Sequence, residues 1–267
     1  MPHVQANGVR LYYEERGEGE PLVLVPGFGT GAWIWYRQAP ALAEHFRVVT
    51  FDPRGVARSE SAEGSLTIRT FADDVAALLE KLKVGSAHVL GASFGGFVAQ
   101  EFALAYSERT RCLILCCTSY GGPGHVPPSA ETLAALASTK GLNTEERVRE
   151  NLLLAFSQSF VAEQPEEVER VIRLRAENNV PEREYLRQLQ AAMAFNTEAR
   201  LGEIKAPTLV ITGDADVIVP VQNSLNLAAR IPGSTLQVVE GGSHTFFIER
   251  PKEFNRAVVE FITSHGT

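Results

Sequence analysis

Apolar residues recur along this chain with two periods that take turns. Six short, mostly apolar runs, at 22–25, 46–51, 86–90, 111–117, 208–212 and 235–239, have the length and composition of strands buried on both faces of a parallel sheet. Between most of them lie longer segments with a helical period. The clearest is 67–83, with Phe71, Val75, Leu78, Leu79 and Leu82 on one face and Thr67 placed as its N-cap. Helices are also predicted at 33–44, 94–106, 220–230 and 251–263. At the start of the chain, 4–6 and 9–15 flank Asn7-Gly8, a dipeptide suited to a two-residue hairpin turn, so an antiparallel pair is expected at one edge. The alternation as a whole predicts an α/β fold built on a mostly parallel, doubly wound sheet.

The pattern changes between 129 and 199. Helical periodicity persists there but no strand-like run interrupts it, and helices are expected at 130–138, 144–158, 165–178 and 181–195. Pro165 and Pro181 stand where first-turn prolines belong. The reading that follows is a core of 1–121 and 200–267 with a helical cap, 122–199, inserted over one edge of the sheet. Phe156, Phe160, Leu186, Leu189, Met193 and Phe195, with Trp33 from the core, are candidates to line a substrate pocket beneath it. Each of them also fits as ordinary packing.

Composition narrows the function classes. The chain of 267 residues carries 25 Lys+Arg against 32 Asp+Glu, and no basic run stands out, so nucleic acid is not an expected partner. Cys112, Cys116 and Cys117 lie in or beside one apolar run, which matches neither a disulfide framework nor a metal site. No metal and no cofactor is expected. Residues 1–10 lack the layout of a signal peptide, and no apolar run has the length to span a bilayer, so a cytoplasmic protein without membrane contact is expected.

The candidate chemistry starts at Gly91-Ala92-Ser93-Phe94-Gly95-Gly96, which joins a predicted strand to a predicted helix. A serine at the apex of that turn is pushed clear of both backbones and lies over a helix N-terminus, where free N–H groups favour an oxyanion. A tight turn with an incidental serine fits the same six residues. Pro26-Gly27-Phe28-Gly29-Thr30-Gly31 follows an earlier strand and reads either as a flexible connection or as an oxyanion loop, in which the N–H of Phe28 joins that of Phe94. A serine hydroxyl needs a base, and the base needs an acid to orient it. His244, in the glycine-rich loop after the last strand, and Asp216, third after Gly213, complete the set Ser93, Asp216, His244. All three would meet at the carboxyl edge of one parallel sheet. Asp214 is the less suitable acid, and Asp52 with Arg54 reads as a paired turn brace.

These residues resemble the α/β-hydrolase family, in its serine-nucleophile branch. The likeness is carried by the Gly91 to Gly95 elbow, by Asp52-Pro53-Arg54-Gly55-Val56-Ala57-Arg58-Ser59, by Gly213 to Asp216, and by Gly241-Gly242-Ser243-His244 followed by Glu249-Arg250-Pro251. Pro26 stands where the family usually has His. A serine at the elbow separates the chain from haloalkane dehalogenases and epoxide hydrolases, which carry Asp there. It looks most like small carboxylesterases and 3-oxoadipate enol-lactonase-like hydrolases.

The resemblance implies a cofactor-free hydrolase of small-molecule esters or lactones, working as a monomer or homodimer through an acyl-enzyme. A C–C bond hydrolase, a perhydrolase or haloperoxidase, and a small-molecule receptor with slow turnover share the same core.

Overall fold

A computed structural model describes residues 2–137 and 144–265. Eight strands form one sheet: β1 (His3–Ala6), β2 (Val9–Arg16), β3 (Pro21–Val25), β4 (Arg47–Phe51), β5 (Ala87–Ala92), β6 (Thr110–Cys116), β7 (Thr208–Gly213) and β8 (Thr235–Val239). Their spatial order is β1-β2-β4-β3-β5-β6-β7-β8. The hairpin is antiparallel, β2 runs antiparallel to β4, and every later pairing is parallel. The helices are α1 (Ala39–Leu42), α2 (Ile68–Lys81), α3 (Phe94–Ala105), α4 (Ala130–Ala137), α5 (Thr144–Ala155), α6 (Gln158–Glu163), α7 (Pro165–Glu177), α8 (Glu182–Met193), α9 (Gln222–Arg230), α10 (Phe246–Glu249) and α11 (Pro251–His265).

Both faces of the sheet are covered, and the pleat divides the apolar strand residues between two cores. Along β3, Val23 and Val25 join the core that includes Phe71, Leu78 and Phe102, whereas Leu22 and Leu24 join the one that includes Trp35, Phe254 and Phe261. α2 forms where predicted. Thr67 caps it by accepting from the Thr70 N–H, while the Thr70 hydroxyl receives the Thr67 N–H in return.

Three expectations need correction. The predicted helix at 33–44 is a short 3₁₀ turn, Ala32–Trp35, followed by α1, because Pro40 restarts the helix at its first turn. The second cap helix breaks into α5 and α6, since Ser157 adopts an extended backbone and its hydroxyl accepts from the Phe160 N–H as a new N-cap. Pro181 is the N-cap of α8 rather than a residue of its first turn. Position 138, expected at the end of the first cap helix, lies outside the described residues.

Helices α4 to α8 lie between β6 and β7 and touch loops that follow the carboxyl ends of strands. Tyr36 donates to Glu167, Arg37 pairs with Glu167 at 3.0 Å, Arg183 pairs with Glu63 at 2.6 Å, and the Gly29 N–H donates to Gln188 Oε1 at 3.0 Å. The helical segment therefore covers the edge where open α/β sheets hold their ligands. Among the described residues, no helix is long and apolar enough to cross a membrane.

The strand-to-helix turn after β5 leaves no room for side chains at its glycines. A Cβ at Gly91 would collide with the Gly95 carbonyl, and one at Gly95 with the carbonyl of Val25. Gly95→Ala should therefore lower the melting temperature by several degrees, matching the roughly 1–3 kcal/mol typical of overpacking. Gly85→Ala, where a Cβ meets nothing within 4 Å, is the control and should unfold with the parent protein in a calorimetric scan.

Candidate active site

Ser93 sits between β5 and α3 with φ 53° and ψ −119°, a strained conformation for a side-chain-bearing residue. The strain is maintained from both sides. The Ser93 N–H donates to the Cys116 carbonyl at 2.9 Å, and the Ser93 carbonyl accepts from the Gly96 N–H at 2.8 Å and the Thr118 hydroxyl at 2.7 Å. Ser93 remains half-buried, and its hydroxyl makes no hydrogen bond among the described residues. The Phe94 N–H, at the first position of α3, is likewise unpartnered among them, as a first-turn donor should be.

The 26–31 loop brings a second donor to the same rim. A Cβ on Gly27 would stand 3.7 Å from Ser93 Cβ, so the loop passes directly over the serine. Its turn is closed by the Thr30 N–H and hydroxyl, which both donate to the Gly27 carbonyl, at 3.1 and 2.8 Å. Gln188 of α8 holds it by accepting from the Gly29 N–H, and Asp52 accepts from the Ala32 N–H at 2.8 Å. These contacts supply the bracing that Pro26 cannot. The Phe28 N–H has no acceptor among the described residues, and the Phe28 ring lies edge-on to both Phe94 and Tyr185.

Asp216 is buried, and its carboxylate is fully committed. Oδ1 accepts from the N–H groups of Ile218 and Val219, each at 2.8 Å, and Oδ2 faces Nδ1 of His244 at 2.8 Å. Asp214 instead is exposed and receives the Gly241 N–H at 2.6 Å, tying the acid loop to the histidine loop. The two loops can lie this close because Gly213 has no side chain: a Cβ there would strike the Gly242 carbonyl. Burial alone would pull the His244 pKa down. The attraction of Asp216, that of Cys117 and the hydrogen bond to Asp216 together outweigh it and raise it to about 9. Cys117 attracts only as a thiolate, and burial pushes its thiol well above the ordinary range, so near neutrality Asp216 supplies the attraction. No hydrogen bond joins His244 to Ser93 in this structure.

The remaining histidines lie elsewhere. His88 is fully buried in β5 with Nε2 3.3 Å from Glu20, and His125 packs Nδ1 against the Gly122 carbonyl at 3.0 Å. Asp52 is a brace, but its partner is Arg58, at 2.7 Å, and not Arg54. Arg54 crosses to Asp74, 2.6 Å away on α2, a pairing that depends on the tertiary approach of two elements distant in sequence.

The pocket candidates divide. Trp33 is 8% exposed, with its indole N–H unpartnered among the described residues, and it shares a core with the stacked rings of Phe156 and Phe160. Phe195 instead stacks on Phe97 at 4.4 Å and lines a cleft with Thr67, Glu101 and Arg200. Met193 is 80% exposed, and Leu186 and Leu189 are also turned outward, because the face of α8 that meets the core carries Glu184, Gln188 and Ala191. These three do not line a pocket. Periodicity also missed Arg175. Its guanidinium lies 3.0 Å from where a Gly29 Cβ would stand and donates to the Asn178 carbonyl, with no carboxylate partner among the described residues.

With this geometry in view, the comparisons with known proteins decide the family. Residues 20–251 match the family model of the alpha/beta hydrolase fold. The chain belongs to the α/β-hydrolase family. It is 33% identical to a 2-hydroxy-6-oxononadienedioate/2-hydroxy-6-oxononatrienedioate hydrolase of Burkholderia vietnamiensis, with 95% of this chain and 91% of that one aligned. It is 31% identical to RutD of Azorhizobium caulinodans, which is provisionally named a carbamate hydrolase, over 98% of each chain. The crystal structure of the enol-lactonase from Burkholderia xenovorans LB400 superposes with a TM-score of 0.87 at 27% identity, covering 98% of this chain and 100% of that one. This α/β-hydrolase is thus an enzyme of a hydrolase family that acts on small molecules.

The electrostatics of the pair are testable without a substrate. In Asp216→Asn the attraction is gone and burial remains, so the His244 ring, followed by NMR, should titrate below its ordinary 6.5 instead of at about 9.

Proposed function

We propose that this α/β-hydrolase cleaves carboxylic esters or lactones by covalent catalysis, without a cofactor. Ser93 is the nucleophile, His244 the base and Asp216 the orienting acid. The observation that carries the reading is the strained Ser93 backbone over the N-terminus of α3, on the same sheet edge as a His244–Asp216 pair at 2.8 Å. The Asp216 contact commits Nδ1 as donor, which leaves Nε2 to accept the serine proton. Rotation of the unpartnered Ser93 hydroxyl toward Nε2 then precedes attack on the acyl carbon. The N–H groups of Phe28 and Phe94 hold the developing oxyanion, the leaving alcohol takes its proton from His244, and water activated by the same ring releases the acid. The substrate would lie between the sheet and the α4–α8 cap, against Trp33, Phe156 and Phe160. Phe195 is a weaker candidate for that wall. The same reading makes the protein cytoplasmic, as a monomer or homodimer.

Arg175 gives the substrate class a direction. A guanidinium without a carboxylate beside the oxyanion loop favours an acyl group that ends in an acid, which would share its charge through a paired hydrogen bond. The similarity to a C–C bond hydrolase favours a second reading, in which the same three residues cleave a carbon–carbon bond next to a carbonyl.

Three measurements test these assignments. Ser93→Ala, folded by circular dichroism, should lose at least about 10³-fold in kcat/KM on an aryl ester, and retention of most activity would remove the serine from the mechanism. Because His244 must be neutral to act and Asp216 favours its charged form, kcat/KM should go on climbing with pH past the ordinary histidine value of 6.5 and not level off there. A panel of neutral esters, acid-bearing esters, lactones, carbamates and ring-fission diketones separates the readings. Arg175→Gln should raise KM by about tenfold for the acid-bearing esters alone. Rapid turnover of diketones with inert esters would move the assignment to C–C bond cleavage.

A further inference from the structure

His244 is held in place from the cap as well as from the core. The residue before it, Ser243, donates its hydroxyl to Glu249 Oε1 at 2.7 Å. The residue after it, Thr245, donates both its N–H and its hydroxyl to the Ala155 carbonyl, at 3.0 and 2.8 Å. Glu249 also receives the Ser157 N–H on Oε1 at 2.7 Å and the Ser157 hydroxyl on Oε2 at 3.0 Å. Ala155 and Ser157 are the break between α5 and α6, where the second predicted cap helix splits. One carboxylate thus gathers three donors, two from the cap and one from the histidine loop.

We propose that Glu249 is a positioning residue that couples the cap to the catalytic base, so that engagement of the cap sets the reach of His244 toward Ser93. The inference rests on the role of His244 proposed above. Its physical basis is that the residues on both sides of the histidine donate hydrogen bonds that end at one short cap segment, Thr245 directly to the Ala155 carbonyl and Ser243 to Glu249, which Ser157 also donates to. A shift of the α5–α6 break must therefore carry Glu249 and the loop with it or break the four hydrogen bonds that Ala155 and Ser157 make with them. Charge-assisted bonds to a carboxylate are the stronger kind, and Glu249 bridges cap and loop from a third element, α10, by accepting from both. In this structure the His244 ring bonds to Asp216 and makes no hydrogen bond to Ser93, so the contact with the rotating hydroxyl depends on where the loop holds the ring. A misplacement of about 1 Å in a reacting group costs on the order of 10²-fold in rate.

The test compares Glu249→Ala and Glu249→Gln with the parent on an aryl acetate. Rates are expressed per site titrated with a fluorophosphonate, which counts only folded protein with a reactive serine. Glu249→Ala should lower kcat by about 10- to 100-fold with KM within about threefold, and Glu249→Gln, which keeps an acceptor for Ser157 and Ser243, should recover most of the loss. A purely structural role would lower the melting temperature of Glu249→Ala and leave kcat per titrated site within about twofold of the parent, and that result would overturn the proposal. Should Glu249→Ala fail to fold, the double variant Ser157→Ala with Thr245→Val removes two of the four bonds to the cap, and an unchanged kcat there overturns it equally. If the parent itself is not titrated, or Ser93→Ala still turns over, the fault lies with the catalytic assignment and not with the coupling.

Discussion

The approach of α3 to the ends of β3 and β5 is the contact on which the rest depends. Glycine at 91 lets the end of β5 lie against the Gly95 carbonyl of the helix, and glycine at 95 lets the helix lie against the Val25 carbonyl, closer than any side chain allows. That packing forces the turn between them into the strained geometry of Ser93. The cost of the strain is met by the surrounding hydrogen bonds, from Thr118, Gly96 and the Cys116 carbonyl, which leave the residue one conformation. A hydroxyl and a helix N–H that are both unpartnered among the described residues are by-products of the same close contact.

A second glycine contact, at the other end of the rim, repeats the principle. Gly213 and Gly242 bring the loops after β7 and β8 together, and Asp214 ties them with one hydrogen bond to Gly241. Asp216 is thereby delivered to His244 with its other oxygen already occupied by two backbone donors. The pair is electrostatically strong because burial removes water while the opposite charge stays 2.8 Å away. Cys117, with φ 40° at the end of β6, sits in the field of the same pair, its neutral thiol filling space beneath it.

The helical segment between β6 and β7 adds no strand among the described residues and meets the rest of the chain in two ways: Phe156, Phe160, Val171 and Ile172 join the core that includes Trp33 and Trp35, and polar side chains reach the loops at the sheet edge. Glu167, Glu184, Gln188 and Arg183 meet loops after β3 and β4, while Ala155 and Ser157 meet the loop after β8. Polar and ionic contacts of this kind specify orientation more than they add stability, and several are exposed enough to be screened. Apolar packing on one side and polar contacts at the rim together give the segment a defined place over the sheet edge.

Much of this was legible in the sequence alone. Strand and helix order, the antiparallel edge and the elbow follow from period, glycine placement and the Asn7-Gly8 turn, because these are local constraints on backbone and burial. The candidates Ser93, Asp216 and His244 were also legible, since topology requires every loop at the carboxyl ends of parallel strands to share one rim. What the sequence could not decide is set by contacts between segments far apart in the chain. Arg54 chose Asp74 over the nearby Asp52, α8 turned Met193 to solvent by presenting Gln188 and Glu184 inward, and Glu249 joined the histidine loop to Ser157 across 92 positions. A helix's periodicity reports which faces are apolar, but only the packed neighbours decide which polar side chain lies over a loop, and those neighbours exist only once the chain has folded.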